Sequence, residues 1–98
     1  MTNERYLGLK LHDVVNMGDA DAAIKCLADG ADVNYKDAVG STPLIAAAYT
    51  GQASMVKLLL SHGADPSVTD MTGSTAYQLA IEVGHSDVIE ALSNDELE

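Results

Sequence analysis

The chain has 98 residues, 47% of them hydrophobic, with 15 acidic residues against 5 basic ones and a formal net charge of −10. That length holds one domain with a modest core, and that charge repels phosphate backbones, which argues against nucleic-acid binding. A single cysteine, Cys26, excludes an internal disulfide and suits a reducing compartment, and no apolar stretch reaches the length of a membrane span.

The opening MTNERYLGLK has no basic start followed by an apolar run, so it does not read as a signal peptide. Shifted by 33 residues, the chain then falls into three rows. The first is LGLKLHDVVNMGDADAAIKCLADGADVNYKDAV, residues 7–39. The second is GSTPLIAAAYTGQASMVKLLLSHGADPSVTDMT, residues 40–72, and the third, GSTAYQLAIEVGHSDVIEALSNDELE, spans 73–98. Rows one and two share Leu11/Leu44, Gly18/Gly51, Leu27/Leu60, Gly30/Gly63, Ala31/Ala64, Asp32/Asp65 and Asp37/Asp70. A fixed period of this size predicts stacked supersecondary units, none able to bury its apolar face alone.

Within each row the elements can be read in order. Thr42 before Pro43 predicts a helix start, because the threonine caps and proline needs no N–H at the first helical position. Thr75 with Gln78 fits a capping box. The helices that follow run through Tyr49 and Val83, and Gly18, Gly51 and Gly84 stop the first helices by accepting a left-handed backbone. Second helices are predicted over 21–29, 54–62 and 87–94, with Asp21 and Asp87 in first turns, where the helix dipole favours negative charge. Met55, Val56, Leu58, Leu59 and Leu60 make the middle one apolar nearly all round, as a sandwiched helix should be. The segments 31–39 and 64–72 are polar and turn-rich. The unit is therefore helix, tight turn, helix, projecting turn: an all-α solenoid with short β-turn or hairpin-like loops.

Little in this pattern resembles catalytic or metal chemistry. His12, His62 and His85 lie in different rows, without the spacing that brings ligands together. Cys26 sits in an apolar helical pattern and reads as a core thiol. Asp32 and Asp65 occupy turn positions suited to accepting backbone N–H groups, and the terminal NDELE run, with Asp95 and Glu96, reads as a solvated, frayed end. No phosphate loop or dinucleotide fingerprint appears.

The second row resembles an ankyrin repeat. Its TPLIAA (42–47) and GAD (63–65) follow the family's T-P-L-H-x-A and G-A-D signatures at the family's period. Row two carries Ile45 where the family usually has His; it either adds to the apolar contact strip or packs inward, and packing inward is the expectation favoured. Row one lacks the opening Gly and Thr-Pro. Row three has Ala76 for Pro and Tyr77 for Leu, and lacks the closing Gly-Ala-Asp. Atypical end rows are what a solenoid needs, since their outer faces meet water.

The resemblance implies a curved stack whose projecting turns and first helices form a concave side that binds other proteins, without catalysis and without a cofactor. Carried across by row, the family's contact positions are Asn16 and Met17; then Lys36, Ala38, Val39, Ser41, Tyr49 and Thr50; then Thr69, Met71, Thr72, Ser74, Glu82 and Val83. Val39, Met71 and Val83 are apolar there, and Tyr49 is an amphipathic anchor of the kind binding hot spots favour. The expected partner is another protein offering a basic or mixed apolar surface, with the chain a monomer or weak homo-oligomer. An alternative is a structural, self-assembling subunit, since three repeats are near the minimum for independent stability. Cytoplasmic location is the default, and Met1 with the polar ends reads as a complete small protein.

Overall fold

A helix leaves its first N–H groups without intrahelical partners, so side chains that accept from them decide where helices begin. The computed structural model describes residues 4–96, without the side chains of 94–96. Among these residues the helices are α1 Glu4–Met17, α2 Ala20–Ala28, α3 Pro43–Tyr49, α4 Ala53–Ser61, α5 Ala76–Val83 and α6 Ser86–Glu96, and no strand is present. The three helix pairs joined by projecting turns are the all-α solenoid that the spacing predicts.

The predicted starts of the first helices hold. Thr42 Oγ1 accepts from the Ile45 N–H at 3.2 Å, with Pro43 at the first helical position. Thr75 Oγ1 accepts from the Gln78 N–H at 3.2 Å, and Gln78 Oε1 accepts from the Thr75 N–H at 2.9 Å, closing the capping box. Gly84, at φ 80°, ends α5 in the left-handed region.

Several boundaries differ from expectation. The second helices begin one residue early, at Ala20, Ala53 and Ser86, and α2 and α4 also end one residue early, at Ala28 and Ser61. For α2 the reason is Asp19, whose carboxylate accepts from the Ala22 N–H at 3.0 Å and so starts the helix immediately after itself. Helix α1 is 14 residues long against 7 for α3, because no Thr-Pro pair delays its start and Glu4 supplies negative charge to the first turn. Helix α6 runs on through Glu96 instead of stopping at Asn94, so the backbone of the terminal acidic run is helical that far, and 97–98 lie outside the described residues.

Each first helix packs on its own second helix, α1 on α2, α3 on α4 and α5 on α6. First helices also pack on one another, α1 on α3 and α3 on α5, while α4 packs on α6. The core follows the period: Leu11 and Leu44 from first helices, and Cys26, Leu59 and Leu92 from second helices, are all buried. Ala47, Ala48 and Ala80 are all buried in α3 and α5, the first helices that pack on each other. Burying a Leu or Val side chain contributes about 1.5–3 kcal/mol, so this periodic stripe supplies much of the drive for stacking.

Candidate functional site: an interaction face

The projecting turns are built by aspartates. Asp37 N–H donates to the Ser41 carbonyl at 2.9 Å, and its Oδ1 accepts from the N–H groups of Val39 at 3.0 Å and Ser41 at 2.9 Å. One period later Asp70 N–H donates to the Ser74 carbonyl at 3.0 Å. Asp70 Oδ1 accepts from the Thr72 N–H at 2.9 Å, the Ser74 N–H at 3.1 Å and the Thr72 hydroxyl at 2.6 Å. A carboxylate that accepts several donors is favoured in its charged form. The Thr72 hydroxyl first, then the Ser74 N–H, therefore hold the Asp70 carboxyl below its ordinary value. Asp65 is lowered in the same way, by the Ser67 hydroxyl and then the Ser67 N–H.

Side chains tie neighbouring units together at matched positions. Gln52 Nε2 donates to the Val15 carbonyl at 2.8 Å, and one period on His85 Nε2 meets the Tyr49 carbonyl at 3.2 Å. Lys36 Nζ donates to the Thr69 carbonyl at 3.1 Å, and the Asp65 N–H donates to Asn34 Oδ1 at 2.8 Å. His85 thus has a structural role, joining the third unit to the second. His62 caps its own helix end, Nδ1 meeting the Leu58 carbonyl at 3.0 Å. His12 is buried, and its Nε2 donates to the Tyr35 carbonyl at 2.8 Å.

His12 also explains Ile45. Residues 12, 45 and 78 share one register, 33 residues apart. In the first unit a histidine holds the following turn, in the second Ile45 is only 4% exposed and packs inward as expected, and in the third Gln78 completes the capping box. The family histidine is thus present in row one, where the missing Thr-Pro hides it from a motif search; alignment by period alone would have found it.

A groove of about 320 Å³ lies between α1, α3, α5 and the two turns. Ile45, Ala46 and Leu79 make its buried and half-buried side, and Tyr49 and Val39 flank it, exposed. His12, Asp37 and Asp70 also line it. Of the positions expected to touch a partner, the groove gathers Asn16, Val39, Ser41, Tyr49 and Thr50. It does not gather the rest. Met17, Glu82 and Val83 are exposed at the ends of α1 and α5. Lys36, Ala38, Met71 and Thr72 are exposed on the turns, and Thr69 and Ser74 are half-buried there. Sequence reading missed His12, Asp37, Asp70, Ala46 and Leu79 as lining residues. Asp37/Asp70 and Ala46/Leu79 are pairs one period apart, and that periodicity was the available signal.

Helix pairs stacked first on first, with turns projecting beside a groove, define a repeat solenoid. A family model described as ankyrin repeats, in 3 copies, matches residues 11–98, and the chain belongs to that family. Ankyrin repeats generally act as protein–protein interaction modules and are typically non-catalytic. No curated protein shows a match to the chain. Among the described residues, no helix is long and apolar enough to cross a membrane.

Proposed function

We propose that the chain is a non-catalytic interaction module, one domain of three repeats (about 7–39, 40–72 and 73–98), which seats a partner protein on the face formed by turn tips and first helices. One observation carries the reading. Val39 and Tyr49, which line a groove whose deep side is also apolar, are 62% and 57% exposed, and Met71 on the next turn, adjacent to the lining residue Asp70, is 76% exposed. Single exposed apolar residues are ordinary, but several on one face beside a groove are the usual mark of a docking surface. The test compares the wild-type chain with a Tyr49→Ala, Met71→Ala, Val83→Ala variant as baits in source-cell lysate, after circular dichroism has established that the variant folds. A protein held by the wild type and lost by the folded variant supports the face. Identical captures by both baits exclude it.

A second reading, self-assembly through the end of the stack, rests on Ile81. Val15 and Ala48 share its register and are fully buried, in first helices on which the next first helix packs, whereas Ile81 is 52% exposed and no further first helix packs on α5 among the described residues. A melting temperature that rises with protein concentration would favour this reading.

A further inference from the structure

We propose that the partner segment seated on this face is cationic with an apolar anchor, setting an apolar side chain against Val39, Ile45 and Tyr49 and lysine or arginine against Asp37 and Asp70. This rests on the interaction-face reading above and adds the partner's chemistry.

The groove pairs an apolar interior with two carboxylates of one sign. Every turn hydrogen bond to Asp37 and Asp70 falls on Oδ1. Oδ2 of Asp70 takes no hydrogen bond from the described residues, and Oδ2 of Asp37 has only the His12 Nδ1, at 3.8 Å. The turns thus hold both carboxylates rigid while leaving one oxygen of each for an incoming donor. Preorganised acceptors cost little conformational entropy on binding, unlike carboxylates on mobile side chains.

Among the described residues, the one basic side chain in the groove lining is His12, whose Nδ1 lies 3.8 Å from Asp37 Oδ2. No lysine or arginine lines the groove, and the side chain of Lys36 on the same turn is tied to the Thr69 carbonyl. The chain's −10 charge adds a long-range field of the same sign, which steers cations in and repels anions. A second copy of the chain would bring another −10 to the same carboxylates, so self-association through this groove is disfavoured. Charge complementarity therefore selects a basic segment, and the apolar interior selects a hydrophobic side chain beside the charge.

The test is selection of short random peptides displayed on phage against the folded chain. Synthetic winners are then titrated by fluorescence anisotropy at low and high salt. The variants are Asp37→Asn with Asp70→Asn, and Tyr49→Ala. Asparagine keeps the Oδ1 acceptor of each turn while removing the charge and putting an NH2 in place of Oδ2; should the double variant melt early, exchanging the peptide's own Lys or Arg for Glu against the wild type reads the same contact. The expected winners carry Lys or Arg near an apolar residue, weaken about tenfold in the double Asn variant at low salt and weaken in high salt. They also lose affinity with Tyr49→Ala. Neutral or acidic winners, no winners, or binding indifferent to both the Asn variant and the peptide's charge would overturn the proposal. Uncharged winners that still need Tyr49 would sink the cationic partner and leave the interaction face standing. Winners indifferent to Tyr49 and to both aspartates would sink both.

Discussion

Gly8→Ala should destabilise the protein, although alanine is the better helix former. Gly8 is buried in the middle of α1 against the ring of Tyr35. A Cβ added there would lie 2.5 Å from Tyr35 Cδ2 and 2.6 Å from Cδ1, with Cγ also in the way. These are atoms at the attached end of the ring, so a small rotation cannot clear them. The Tyr35 backbone is held in turn, its carbonyl accepting from His12 Nε2 at 2.8 Å, and its ring meets the His12 ring edge-on. The substitution gains about 1 kcal/mol of helix propensity. Against this, forcing a methyl into a filled site costs about 1–3 kcal/mol, and here the shift must also strain the His12–Tyr35 bond. The upper half of that range wins, leaving a net loss of about 1–2 kcal/mol. For a domain of this size each kcal/mol lowers the melting temperature by roughly 4–8 °C. Thermal and urea unfolding of wild type and variant would measure it. The same change made in a Tyr35→Ala background, where the ring is gone, should turn stabilising by up to about 1 kcal/mol. A Gly8→Ala protein that melts above wild type, or an effect unchanged by Tyr35→Ala, would refute the close approach as its cause.

Other outcomes follow from the same bonds. The lowered carboxyls of Asp65 and Asp70 mean that the unfolded chain binds more protons in acid; their stabilisation is therefore present above the ordinary carboxyl value of 3.8 and lost as pH falls through the lowered folded values. The melting-temperature difference between wild type and Asp70→Asn should accordingly shrink across that acid range, and a constant difference would count against the turn bonds. Thr42→Ala removes the buried cap of α3 and should cost about 1–2 kcal/mol by urea unfolding, with helix content otherwise kept. Gln52→Ala, which cuts the bond to the Val15 carbonyl and the exposed one to Thr50 Oγ1, should cost about 1 kcal/mol; a larger loss than for Thr42→Ala would reverse the ranking of cap over tie.

Much of the fold could be read from the sequence because its signals are local and repeat. Thr-Pro at 42–43 and the Thr75–Gln78 box start helices through bonds spanning three residues, so no distant partner is needed. The 33-residue period then implies stacking, because the apolar positions recur in phase. The helical pattern from Asp21 onward hides the true start of α2, which Asp19 caps one residue earlier than the pattern implies. Row one was the hardest to read: its histidine lacks the Thr-Pro that would flag it, and the bond it makes crosses 23 residues to Tyr35.

The site was legible only in part. The expected contact positions came by register, one residue at a time, and register does not reveal which side chains share a cavity. Asn16, Val39, Ser41, Tyr49 and Thr50 share one with Asp37, Asp70 and Leu79 because α3 packs between α1 and α5.

By itself the sequence determined the family, the helix pairs, the capped starts and the acidic balance, since each depends on composition or on neighbours a few residues apart. Only the tertiary structure decided that Ile45 forms the buried side of a groove, that Ile81 is exposed where its register partners Val15 and Ala48 are buried, and that two turn carboxylates border one apolar cleft. Those outcomes depend on how units 33 residues apart in the chain lie against each other in space, and the stacking of α1, α3 and α5 sets that arrangement.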